Sequence, residues 1–146
     1  MMNLENFDLA KPYATIELVG LGHRWDLHSW ADFVGLTFAP EQDEVLLEWR
    51  VPSTEPNPWG SLGNHAKGCR LRFRRVHHLV FTGRDPAHPK TDASSISAIG
   101  KAIPDELEYR YKSNWQLGET FHLRFEFEDT RAIQVGAENV RLEAIE

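Results

Sequence analysis

A chain of 146 residues with a formal charge of −6 and one cysteine is expected to form a single domain over residues 1–146. The negative charge argues against nucleic acid as a partner, and one cysteine excludes an internal disulfide and a zinc ribbon. No apolar run reaches the ~18 residues of a membrane span. Residues 1–13 lack the apolar core of a signal peptide. Together these features favour a cytoplasmic protein without membrane association.

Alternating apolar and polar residues predict β-strands in the first half of the chain, since successive strand side chains point to opposite faces. Strands are expected at 14–19, 32–38 and 45–51, the last two joined as a hairpin through 39–43. Residues 20–31 are rich in Trp and His, and a helical turn there is also indicated by the spacing of Leu27, Trp30, Ala31 and Val34. Residues 52–68 hold three prolines and three glycines, which predicts a long loop.

The second half begins with a predicted strand over 69–81, long enough that a bend or bulge is expected near Arg75. A short helix is predicted within 92–103, carrying Ile96, Ile99 and Ile103 on one stripe and ended by Pro104. Alternation resumes at 106–111 and again at 120–145, where turns are expected at 128–130 and 136–139.

The predicted fold is therefore mainly β, with about eight antiparallel strands and one short helix. A β-sandwich and a partly closed β-barrel both fit this pattern, because periodicity does not distinguish them. The closing hairpin, with its FEFED turn and AENV ending, resembles small bacterial all-β proteins. The resemblance covers that hairpin alone and implies no activity.

A candidate binding site follows if consecutive strands run up and down in order. Residues 20–31, 52–68 and 112–119 would then meet at one end of the fold, in loops on a rigid scaffold. Aromatic side chains there would offer large contact area to a ligand or a protein. The alternative is that the tryptophans plug the end of the sheet as a small core. The predicted contact residues are Trp25, His28, Trp30, Trp59, His65 and Trp115.

Other polar groups have simpler interpretations. His23, His28 and His65 are a conceivable ligand set for zinc or iron, but their spacing matches no known metal motif, so no metal or cofactor is expected. The rings of adjacent His77 and His78 are expected on opposite faces of their strand.

Two further polar groups are read as ordinary sheet chemistry. His122 is expected to be solvated. Arg70, Arg72 and Arg74 share one strand face, where ion pairs with glutamates on neighbouring strands are favoured over a phosphate-binding row.

The sequence carries none of the common catalytic motifs, which leaves enzymatic activity undecided. The favoured hypothesis is a binding or interaction module that uses the aromatic and His-rich end to bind a protein partner or a small molecule. An acidic chain with exposed tryptophans would suit a basic protein partner. The alternatives are a metalloprotein or small-molecule enzyme with its site at the same end, and a homodimer formed through the final strand.

Overall fold

The computed structural model describes residues 2–11, 14–52, 57–83, 85–87, 95–102 and 120–146. The described residues are mainly β, which confirms the predicted class. A 3-10 turn lies at Pro58–Leu62. The described residues form ten strands: β1 Asn3–Glu5, β2 Phe7–Leu9, β3 Glu17–Gly20, β4 His23–Asp26, β5 Asp32–Ala39, β6 Glu44–Arg50, β7 Gly68–Thr82, β8 Ile96–Ala102, β9 His122–Phe127 and β10 Ala132–Ile145.

Two sheets make up the fold. The larger one has the order β5-β6-β7-β10-β9-β8, with antiparallel neighbours throughout, and β1 adds to β10 in parallel. It curls into a half-barrel. The second sheet has the order β2-β3-β4. An isolated β-bridge pairs Thr15, which lies just before β3, with Ile99 of the edge strand β8. The arrangement is consistent with both the sandwich and the barrel interpretation.

A chain of aromatic rings runs through the core and links distant strands of the large sheet. Phe33 of β5 packs against Trp49 at 5.3 Å and against Phe127 at 4.9 Å between ring centroids. Phe125 continues the chain, 5.7 Å from Trp49 and 6.3 Å from Phe73. Contacts of this kind are worth about 0.5–1.5 kcal/mol each beyond the area they bury. The curl of the sheet therefore brings the edge strand β5 against β9.

The predicted helix within 92–103 is wrong for residues 96–102, which form β8. Ile96 pairs with Phe127 and Ile99 with Phe125, and the register shifts between them. One additional residue in β8 makes a β-bulge, so two isoleucines three positions apart both face the core. A bulge thus produced the spacing that resembles a helical stripe. Ile103 and the strand predicted at 106–111 lie outside the described residues.

The bend predicted near Arg75 is confirmed. Arg75 has φ +53°, and the register between β7 and β10 shifts where Gly136 faces His78 and Ala137 faces Val76. His77 is the additional residue of this bulge.

The turn predicted at 136–139 is wrong, because β10 runs unbroken from Ala132 to Ile145. Its residues in the hydrophobic core lie at odd numbers, Ile133, Val135 and Ala137, and then at even numbers, Val140 and Leu142. The alternation therefore changes phase close to the register shift between β10 and β7. In the sequence, such a change of phase resembles a turn between two strands. The turn predicted at 128–130 is confirmed between β9 and β10, where the N–H of Thr130 donates to the carbonyl of Phe127.

Candidate functional site

Residues 57–66 form a compact loop around one tryptophan. The Asn57 side chain accepts a hydrogen bond from the backbone N–H of Trp59 at 2.9 Å and donates to the carbonyl of Ala66 at 3.0 Å. Gly63, with φ +78°, ends the 3-10 turn in the left-handed region that glycine adopts without strain. The loop is thus closed at its base, and the side chain of Trp59 is entirely buried inside it.

Trp59 packs edge-to-face on Trp25 of β4, with ring centroids 5.2 Å apart. The two segments 20–31 and 52–68 therefore meet, as the up-and-down arrangement predicts. Trp25 is also entirely buried, and its Nε1–H donates to the carbonyl of Gly20 at 2.9 Å. In this packing the indoles of Trp25 and Trp59 belong to the core. They offer no contact surface to a partner.

The remaining predicted contact residues lie in different surroundings. His65 is exposed, and His23 is half-buried with its ring edge against Trp25. Trp115 lies outside the described residues. Among the described histidines, cysteines and acidic residues, no group of three or more is placed to hold a metal ion, so His23, His28 and His65 are not brought together as ligands.

His28 and Trp30 lie at the surface just before β5. The Asp26 carboxylate accepts hydrogen bonds from the backbone N–H groups of His28 and Ser29, at 2.9 and 2.7 Å, and so fixes the turn between β4 and β5. The His28 ring lies against the carbonyl of Ile96 and 3.6 Å from the Glu128 carboxylate. Trp30 follows, 37% exposed.

Arg70 and Arg72 of β7 form cross-strand ion pairs, as favoured above. Arg72 lies 3.0 Å from Glu44 on β6 and 3.2 Å from Glu143 on β10, and hydrogen bonds to these two carboxylates raise the pKa of its guanidinium. Arg70 lies 3.6 Å from Glu48. Carboxylates on both neighbouring strands therefore occupy Arg72, and a phosphate would have to displace them.

The side chain of Cys69 is buried. Burial raises the pKa of its thiol, and the charge of Glu48 raises it further. Since the thiolate is the reactive form, Cys69 is expected to resist a thiol reagent such as Ellman's reagent in the native protein and to react fully in guanidinium chloride. Rapid reaction of the native protein would contradict this burial.

The feature that sequence reasoning missed is a buried polar group on the sheet face opposite the aromatic core. His122 is 4% exposed, although its position suggests solvation. Its ring stacks on His78 at 4.4 Å and lies 5.8 Å from His77, while Gln134 Nε2 is 3.0 Å from His122 Nδ1. The prediction that His77 and His78 point to opposite faces is wrong, because the bulge at His77 breaks the alternation.

Gly136 is the sequence signal that could have revealed this group. A Cβ atom at position 136 would lie 2.4 Å from His122 Nε2 and 2.9 Å from His77 Cε1. A glycine inside a strand often marks a bulge or a close approach of another group, and here it marks both. The alternation of His122 with the apolar residues of β9 predicts a solvated face, because the sequence pattern does not show what covers the polar side of a strand.

The edge strand β5 carries exposed apolar side chains. Val34 is 53% exposed and Phe38 49% exposed. Val34 is the additional residue where the register with β6 shifts between Phe33 and Gly35. Residues 33–39 contain no charged residue. On its outer side β5 has no strand neighbour within the described ranges.

No helix in the described part of the chain has the length and apolar character needed to cross a membrane. No protein-family model, curated protein or solved structure matches this chain.

Proposed function

We propose that this chain is a binding module that receives an extended segment of a partner protein along the outer edge of β5. The observation that carries the proposal is the exposure of Val34 and Phe38 on an edge strand whose residues 33–39 carry no charge. An edge strand presents unpaired N–H and C=O groups, and proteins commonly protect such edges with charged residues. Strand addition uses these backbone groups for affinity and the neighbouring side chains for specificity.

The exposed part of the aromatic end extends this surface. Trp30 and His28 lie at the surface directly before β5, so Trp30 adds an exposed aromatic ring at one end of the strand. Tryptophan is enriched among the residues that dominate binding energy. Covering the exposed halves of Val34 and Phe38 contributes about 1 kcal/mol each. The proposed binding surface is thus Trp30 and the edge strand that follows it, while Trp25 and Trp59 belong to the core.

The other edges of the large sheet are less suited to strand addition. β7 extends beyond the part paired with β6, but Arg74 and Arg75 lie there next to the bulge at His77. Charged residues on an edge strand hinder the pairing of a new strand. At the opposite edge, β8 is already bridged by Thr15. The final strand β10 is paired on both sides, which rules out its use as a dimer edge along those paired stretches.

Site-specific photocross-linking tests the proposal. Benzoylphenylalanine replaces Val34 in one variant and Val19 in the other. Val19 is a matched control, since it is 40% exposed but lies on β3, the central strand of its sheet. We expect irradiation of the source cells to give a discrete adduct from position 34 and none from position 19, with the cross-linked peptide identified by mass spectrometry.

A second substitution sharpens the result. Phe38→Lys in the Val34 cross-linking variant should abolish the adduct, because a charge placed on the edge opposes burial under a new strand. Equal adducts from positions 34 and 19, or no adduct from either, would contradict the proposed function.

A further inference from the structure

The turn that follows β5 carries exposed negative charges. Glu41 and Asp43 lie in this turn, and both are exposed. Glu44, the next acidic residue, is already paired with Arg72 at 3.0 Å. Within the described residues, no ion pair joins Glu41 or Asp43 to a basic group.

The chain as a whole is also acidic, with a formal charge of −6. Two copies of the chain would repel each other through this net charge. The charge pattern therefore disfavours self-pairing and favours a segment of opposite charge.

Resting on the proposed function, we infer that the segment that β5 receives is an extended apolar strand flanked by a Lys or Arg residue. The segment spans about six to eight residues, the length of β5. Its apolar side chains cover Val34 and Phe38, and its basic residue lies beside Glu41 and Asp43. Exposed ion pairs contribute modestly, so loss of both carboxylate charges is expected to weaken binding by roughly 3- to 10-fold.

A random eight-residue peptide library displayed on phage tests the inference on the purified, full-length chain. Selection on the wild type is compared with selection on Glu41→Gln/Asp43→Asn, which keeps side-chain shape and removes two charges. Asn also tolerates the positive φ of residue 43, which is +51°. The control, Asp8→Asn/Glu146→Gln, removes the same net charge from exposed positions on other segments.

We expect peptides selected on the wild type to carry alternate apolar residues and an excess of Lys or Arg at one end. The basic excess should disappear with Glu41→Gln/Asp43→Asn and persist with the control. A basic excess that survives the first variant, or that disappears equally with the control, would overturn the inference.

Two further outcomes separate this inference from the proposed function. Peptides that reproduce the uncharged run 33–39 would identify a second copy of the chain as the occupant and overturn the inference alone. If Val34→Lys selects the same peptides as the wild type, binding does not occur along β5, and the proposed function fails together with the inference.

Discussion

Replacement of Trp59 by alanine is expected to lower the free energy of unfolding by about 3–5 kcal/mol, the range for a large aromatic residue deleted from a packed core. The indole is entirely buried, packs edge-to-face on Trp25 at 5.2 Å and fills the loop closed by Asn57. The loop cannot collapse fully onto the cavity, because Asn57 and Ala66 hold its base. Denaturant unfolding followed by circular dichroism measures the loss.

Trp30→Ala is the matched control, since Trp30 is partly exposed and lies in residues 20–31, the segment that also contains Trp25. We expect a loss below about 1 kcal/mol for it, as for most surface substitutions. Trp59→Phe keeps a ring and removes a buried N–H that finds no hydrogen-bond partner among the described residues, so its loss should be smaller than that of Trp59→Ala. Equal losses for Trp59→Ala and Trp30→Ala would contradict the division between core and contact surface.

Gly136→Ala is expected to destabilise the protein by about 1–3 kcal/mol, the usual cost of overpacking. The new methyl group would lie 2.4 Å from His122 Nε2, and the buried His122 ring is held by Gln134 and by stacking on His78. Gly35→Ala is the control, because nothing lies within 4 Å of a Cβ atom at that position. We expect little change for it in the same denaturation experiment.

A double-mutant cycle identifies the origin of that cost. His122→Ala removes the ring that the new methyl group meets, so the combined loss in Gly136→Ala/His122→Ala should be smaller than the sum of the two single losses. Strictly additive losses would show that the two residues are not in contact. The placement of the buried His122 ring against Gly136 would then be wrong.

The sequence predicts those parts of the fold in which local alternation and burial agree. The β5–β6 hairpin and the turn after β9 follow directly from the pattern, and so do the cross-strand pairs of Arg72. The predictions of the fold that are wrong fall where a β-bulge or a change of phase interrupts the alternation of a strand. The additional residue between Ile96 and Ile99 makes a strand resemble a helix, and the phase change in β10 makes one strand resemble two.

The candidate site depends on long-range contacts that periodicity does not contain. The burial of Trp59 requires loop closure by Asn57, and the stacking of His78 on His122 requires a bulge opposite Gly136. Adjacent histidines on a regular strand would diverge. The exposure of Val34 and Phe38 depends on the order of strands in the sheet, which a single sequence does not determine.

Amide hydrogen exchange of the purified protein, resolved by residue with NMR, tests the open edge of β5 most directly. Within β5, alternate N–H groups point toward β6 and toward the outer side. We expect the outward-pointing amides between Phe33 and Ala39 to exchange rapidly, while the amides of β10 between Ala132 and Val135, paired on both sides, remain protected. Protection of every β5 amide to the level of β10 would mean that the edge is already covered, which contradicts its role as a binding surface.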